Sequence, residues 1–278
     1  MFKKLVITLA FLFLLTGTLV FAADQYGSYD LPVDIQVNDD YIKCVKKPFL
    51  ENGSTYIPLR AFSEAVGAQI EWNEETQTAT MIKDGHRFEF CSDNDCCFID
   101  GEKCDLSSIN REFLTFIPVR IISETLGYGV EWDNDYITVK ITAPDVVVPD
   151  ELKDFSYTYS DILYLGKIIM LEADSGGLDT KIAIANTIVN RVHSPSFPNT
   201  VRDVIFDTNY GVQFPPAHTE RINETPSKEC IIAAKCALNG VELVGNSLYF
   251  ISVKAAPKSW VNGHRPYHST VGNTCFYE

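Results

Sequence analysis

An internal repeat constrains this chain more than any other feature. Gly53 to Met81, GSTYIPLRAFSEAVGAQIEWNEETQTATM, aligns with Phe113 to Ile141, FLTFIPVRIISETLGYGVEWDNDYITVKI, at an offset of 60 residues. Pro58 falls on Pro118, Arg60 on Arg120, Glu64 on Glu124, Gly67 on Gly127 and Trp72 on Trp132. Upstream, Asp39 to Cys44 falls approximately on Ile99 to Cys104, which places Cys44 over Cys104. Self-similarity this dense means duplicated structural units. Each copy predicts an edge strand ending at its proline, an amphipathic helix of about ten residues, a glycine stop and a hairpin carrying the tryptophan. Arg60/Glu64 and Arg120/Glu124 are then i,i+4 pairs on a helix surface, placed to hold the helix rather than to catalyse. Trp72 and Trp132 are expected in the core.

The second half has a different centre. Ser160 to Val192 reads as two helices joined by a short glycine turn. Ile162, Leu165 and Ile169 recur at helical spacing, and Glu172 is the next member of that stripe. Every other member is apolar, so Glu172 is expected to face protein interior or a cleft floor. Desolvation raises the pKa of a carboxyl placed there, and a carboxyl protonated near neutral pH is what a general acid requires. Ser175, Gly176 and Gly177 end the helix. Asp179 is the expected N-cap of the next one, whose Ile182, Ala185, Val189 and Val192 form the facing stripe. Asn186 and Asn190, four apart, are positioned to offer amides to a sugar.

Leu171 to Phe206, LEADSGGLDTKIAIANTIVNRVHSPSFPNTVRDVIF, resembles the core of the SleB/CwlJ-type cell wall hydrolases of spore formers, and Gly211 to His218, GVQFPPAH, is similar to a later stretch of the same family. The resemblance covers about Ser160 to Glu278. It implies a lysozyme-related α+β domain that cleaves peptidoglycan glycan strands as a lytic transglycosylase or muramidase, with Glu172 as the catalytic acid. Gln213, Phe214 and Trp260 are candidates for holding the sugar, beside Asn186 and Asn190. Asp174 and Asp179 are the nearest other acids, and neither is a clear second catalytic carboxyl. That favours a route needing one carboxyl over hydrolysis, which usually needs two. Two positions depart from the family: Gly176 stands where a second Glu is common, and Thr274 follows Gly272-Asn273 where a histidine is usual. The rival reading is a catalytically weakened glycan-binding or spore-coat structural protein that keeps the cleft. The repeat itself, over about Val33 to Ile141, is similar to the copper amine oxidase N-terminal-like domain of exported bacterial proteins. No copper site accompanies it, because this half has one histidine, His86. It reads as an attachment or assembly module contacting a wall or coat protein.

Residues 1–23 read as a signal peptide, with Lys3 and Lys4, an apolar run from Leu5 to Phe21, then Ala22 and Ala23. The expected order is signal peptide, duplicated module over 24–145, linker over 146–157 and hydrolase-like domain over 158–278, giving an α+β chain exported to the cell wall or spore envelope. Asp24 to Asp150 holds 10 Lys/Arg against 24 Asp/Glu, and Glu151 onward 11 against 13. Such acidity argues against nucleic acid and anionic surfaces as partners. After removal of the signal peptide no membrane span is expected. Export permits disulfides among the eight cysteines. Five lie in the first half and three in the second, so either a bridge crosses between halves or thiols remain. Cys230 and Cys236 should not pair with each other. His264 and His268 have a metal-like spacing, but Gly263 and Pro266 argue against a helix there. No metal or cofactor is expected.

Overall fold

The computed structural model describes residues 25–26, 28–92, 96–104, 107–173, 175–209 and 211–278. The expected signal peptide lies outside them, as does Asp174. Among the described residues no helix is long and apolar enough to cross a membrane.

Both repeats build the predicted order, with two corrections. Strand Ser54–Pro58 runs into helix α1, Leu59–Ala65, and strand Leu114–Pro118 into α2, Val119–Thr125. Each helix spans 7 residues rather than about ten. Proline closes the strand on one side, and Gly67 and Gly127 stop the helix on the other at φ +66° and +77°, a conformation that favours glycine. The proline-terminated strands are also central rather than edge strands. They pair antiparallel with each other, Ile117 opposite Ile57, inside a four-stranded sheet. Proline is tolerated because it is the last strand residue, where the chain leaves the ladder for the helix.

The two hairpins diverge. Gln69–Asn73 and Thr78–Lys83 extend through His86–Cys91 and Cys96–Ile99 into a five-stranded sheet. Gly129–Asp133 instead pairs with Thr138–Thr142, which in turn pairs parallel with Asp34–Val37, so the entry strand closes the module. Cys91 and Cys96 are bridged, while Cys44, Cys97, Cys236 and Cys275 remain thiols.

The segment expected as a linker is held down. Asn38 clamps its start, donating to Ala143 O at 2.6 Å and Val146 O at 2.8 Å while accepting from Ala143 N at 2.9 Å. Val146 and Val148 are buried in the module core, and Tyr157 is buried against the next domain.

The C-terminal part has three long helices: α3, Tyr159–Ala173; α4, Leu178–His193; and, after the short α5, Val201–Ile205, helix α6, Lys228–Leu238. A reciprocal cap starts α3: Thr158 N donates to Asp161 Oδ2 at 2.8 Å and Asp161 N to Thr158 Oγ1 at 3.2 Å. Thr200 caps α5, and Ser227 caps α6. Helix α6 packs on both α3 and α4. A three-stranded sheet of Tyr249–Ser252, Thr274–Tyr277 and Tyr267–Val271 completes the domain, with Thr274–Tyr277 in the middle. Between Tyr249–Ser252 and Tyr267–Val271 lies α7, Trp260–His264, a short helix that ends at His264; His268 is in the following strand, so no helix joins the two histidines, as expected. Gly263 sits within its final turn and Pro266 lies beyond its end, so neither interrupts it.

The core of this domain is shared with the module. Leu31, Val33, Leu50 and Ile137 are buried among the side chains of α3, α4 and α6. Each such burial contributes about 1.5–3 kcal/mol. Trp132 borders both cores, whereas Trp72 is 50% exposed, contrary to expectation. Polar contacts reinforce the seam. Lys235 of α6, with no exposed surface, pairs with Asp34 Oδ2 at 2.9 Å and donates to Tyr136 O at 2.7 Å and Ile137 O at 2.9 Å. Tyr157 donates to Asp34 Oδ1 at 2.9 Å.

Candidate active site

The stripe that predicted the site forms as expected. Ile162, Leu165 and Ile169 of α3 are fully buried, and Glu172 is half-buried in the last turn of the same face. Burial pushes its carboxyl above the usual carboxylate range. Asp133 and Asp154 are also partly desolvated, yet hydrogen bonds from Lys140 and Ser156 hold them below that range. Glu172 has no such donor among the described residues, and this is what separates it from them.

After Glu172 the backbone turns sharply. Gly176 N donates to Ala173 O at 2.9 Å, and Gly177, not Asp179, is the N-cap of α4. Asp179 lies in the first turn and accepts the Tyr29 hydroxyl at 3.0 Å. A Cβ on Gly176 would stand 3.2 Å from both Ala173 O and Thr180, so a glutamate there would need the turn to shift. The sheet reaches the same place. Gly272, at the tip of its second hairpin with φ +57°, packs so closely that a Cβ would lie 2.4 Å from Thr180 Oγ1.

A cleft of about 920 Å³ opens between α4 and the sheet; Phe197, Gln213, Tyr249 and Trp260 are among its walls. Trp260 is 57% exposed and stands edge-on to Tyr249 at 6.0 Å. Gln213 is half-buried, and its Nε2 donates to Gly211 O at 3.2 Å. The loop carrying Gln213 continues into a 3-10 turn, Pro215–His218, that packs on α3, the helix of Glu172.

Three expected sugar contacts are engaged elsewhere. Asn186 is 4% exposed; it donates to Val241 O at 2.7 Å and accepts from Leu243 N at 3.0 Å. Asn190 donates to Gly245 O at 2.7 Å and Ser247 O at 3.0 Å. Both amides tie α4 to the segment leading into the sheet, so helical spacing had correctly put them on one face without revealing that backbone covers it. Phe214 is 1% exposed and packs near Phe250, centroid to centroid 6.1 Å. It is a core residue behind the cleft.

Sequence reading assigned no role to Arg191, although it stands inside the Asn190-Arg191-Val192 string. It is 4% exposed and contributes to the cleft floor. Its Nε donates to Leu248 O at 2.7 Å, and its Nη1 is buried without a partner. The guanidinium lies 4.9 Å from the ring centre of Phe197, 5.2 Å from Phe214 and 5.6 Å from Tyr249. Burial lowers its pKa to about 10, against the opposing influence of Tyr249 and Asp207, so it remains a cation at neutral pH.

Among the described residues no three His, Cys, Asp or Glu converge to hold a metal ion. In the repeat module His86 is tied to Asp100 at 2.8 Å, and no second histidine stands near it. Those residues do not fit a copper site.

Comparison with known proteins agrees with the two-part organisation. Residues 36–141 match the copper amine oxidase N-terminal domain, and residues 176–277 the cell wall hydrolase family. The latter match begins four residues beyond Glu172. A spore cortex-lytic enzyme of Bacillus cereus is 32% identical over 120 residues, 43% of this chain and 45% of that protein. One of Bacillus subtilis is 30% identical over 122 residues, 44% of this chain and 39% of that protein. The chain thus spans less than half the length of the curated relatives it matches. The solved catalytic domain of the germination-specific lytic transglycosylase SleB of Bacillus anthracis is 30% identical, over 45% of this chain and 99% of that one, with a TM-score of 0.41. Residues 176–277 thus carry a cell wall hydrolase domain, and residues 36–141 a copper amine oxidase N-terminal domain.

Proposed function

We propose that this chain is an exported peptidoglycan-cleaving enzyme of the cell wall or spore envelope, acting as a lytic transglycosylase with Glu172 as its acid. The observation that carries the reading is a carboxyl on the buried face of α3, pushed up by burial and paired with no donor or charge among the described residues. The match to the cell wall hydrolase family and the named activities of the relatives support the substrate class.

In this mechanism protonated Glu172 donates its proton to the glycosidic oxygen as the bond from that oxygen to the muramic acid C1 breaks. The positive charge that develops at C1 is met by the carboxylate left behind. Glu172 then takes the proton of the C6 hydroxyl, O6 bonds to C1, and an anhydro end forms with the acid regenerated. One carboxyl serves both transfers, whereas retaining or inverting hydrolysis generally requires a second carboxyl at a defined separation. Gln213 and Trp260 serve as sugar contacts, by amide hydrogen bonding and by ring stacking. Asn186, Asn190 and Phe214 hold the framework behind them. The repeat module would contact a wall or coat protein.

Mass spectrometry of fragments released from purified cortex and vegetative peptidoglycan tests this. The unmodified protein should release anhydro-muramic ends. Glu172→Gln should lower release by about 10²–10⁴-fold, the usual contribution of a general acid. Reducing ends would replace this mechanism with hydrolysis. Retained wall binding with no release by the unmodified protein would make the chain a glycan-binding protein.

A further inference from the structure

The duplication of the repeat module extends to its surface. Strands Ser54–Pro58 and Leu114–Pro118 pair antiparallel with Ile57 opposite Ile117, which sets the tryptophan hairpin of each copy beside the first hairpin of the other. Two equivalent grooves result. In one, Trp132 and Ile137 join Leu50 against the buried side chains of α3, α4 and α6. In the other, Trp72 and Gln77 join Asn110 and Phe113 around a space of about 480 Å³. At the repeat offset of 60 residues, Gln77 stands for Ile137 and Asn110 for Leu50, so amides replace two of the aliphatic residues that seat the hydrolase domain. The open groove is therefore not a second seat for apolar helices.

The turn that carries Phe113 is strained. Two-residue hairpin turns need φ above zero at both positions in their commonest form, which Asn-Gly adopts readily. The first copy has Asn52-Gly53 there, at φ +50° and +77°, between the paired Glu51 and Ser54. The second has Glu112-Phe113, at +50° and +65°, between the paired Arg111 and Leu114. A left-handed phenylalanine costs backbone energy. Phe113 is fully exposed, so packing within the chain does not offset that cost. Strain of this kind clusters at ligand sites.

The rest of the lining is polar and carries no net charge. Its two charged side chains are each paired within the module, Arg60 with Glu64 at 3.4 Å and Glu71 with Arg87 at 3.9 Å, in a chain whose formal charge is −14. Gln77 Nε2 donates to Glu74 O at 2.8 Å and Asn110 Nδ2 to Ser92 O at 3.1 Å. An amide nitrogen has two hydrogens, so each can donate once more. Neutral hydrogen-bonding groups beside two exposed aromatic rings match a sugar, which has hydroxyls at its edge and C–H groups on its face. They leave a charged partner nothing to pair with.

We propose that this groove binds an uncharged stretch of glycan strand, with sugars stacked on Trp72 and Phe113 and hydrogen-bonded by Gln77 and Asn110. The ligand class rests on the glycan-cleaving reading above. The site itself is separate from the cleft and lies on the other domain, where it holds the polymer and raises its effective concentration at Glu172.

The test uses the full chain carrying Glu172→Gln and Trp260→Ala, so that the cleft neither cleaves nor stacks. Tetra-acetylchitotetraose, a neutral N-acetylated glycan, is titrated calorimetrically. Trp72→Ala should weaken its binding about tenfold. Phe113→Gly, which supplies the residue found in the first copy, should do the same while raising the melting temperature by about 2–4 °C, because the turn is relieved. Unchanged affinity in both variants overturns the proposal, as does absence of binding by the parent. Weaker binding with a fall in melting temperature for Phe113→Gly overturns it too, since Phe113 then belongs to the fold. Release of anhydro fragments by wild-type protein beside unchanged affinities loses only this site. Tenfold weakening beside no release supports the site and loses only the cleavage reading.

Discussion

Two cations are buried on the faces of neighbouring helices, and they meet opposite circumstances. Lys235 of α6 is enclosed where the repeat module meets the hydrolase domain, with Asp34 and two backbone carbonyls around its ammonium. Arg191 of α4 lies under the cleft, with one carbonyl and three aromatic rings. The first set of partners is complete within the chain and makes a rigid seam. The second leaves capacity unused, beside a space large enough for a ligand. Burial alone does not mark a functional charge; incomplete pairing next to a cavity does.

The largest effect separating the two regions is expected from Lys235→Met. It takes the nearest cation from the buried Asp34, leaving it the Tyr157 hydroxyl and Lys47 at 3.8 Å, and should lower stability by about 3 kcal/mol in urea unfolding. Adding Asp34→Leu should restore most of the loss. A seam that tolerated the single change would mean that water reaches it and that the two domains are not one unit. Arg191→Met should cost less, about 1–2 kcal/mol, because it deprives Leu248 O of a donor without stranding a carboxylate. A loss as large as that of Lys235→Met would make Arg191 a structural pillar and remove the contrast.

The smallest effect concerns Glu172 and depends on pH. Its folded pKa is raised, so ionisation disfavours the folded state. Stability attributable to this group is fully present below the ordinary carboxylate value and is lost as pH rises through the raised one. Glu172→Gln should therefore melt like the parent at low pH and above it at neutral pH. Identical melting at both would show that the carboxyl is solvated.

The relation between the two repeats shows how far local pattern reaches. Pro58 and Pro118, Gly67 and Gly127, and the paired Arg/Glu positions produced the same strand, helix, stop and hairpin twice, and the exposed ion pairs close at 3.4 Å in both copies. Yet Trp132 lies between two cores while Trp72 faces solvent. The Glu-Trp pair is the same in both copies, and the difference comes from what is packed outside each copy. Likewise, the α3 stripe led correctly to Glu172. Asn186 and Asn190 looked equally available on α4 until the segment from Val241 to Ser247 was seen to cover them.

The amino-acid sequence by itself determined the α+β class, the duplication, the helix pair and the buried side of Glu172. All of these follow from periodicity and from the backbone preferences of proline and glycine, which act over a few residues. The tertiary structure alone decided that the module completes the hydrolase core, that Lys235 is sealed against Asp34, and that Arg191 lies under a cleft with a nitrogen unsatisfied. Lys235 and Asp34 are 201 residues apart. Whether a distant charge meets a counter-charge, a carbonyl or an empty space depends on how helices and sheets pack, and local periodicity carries no information about that.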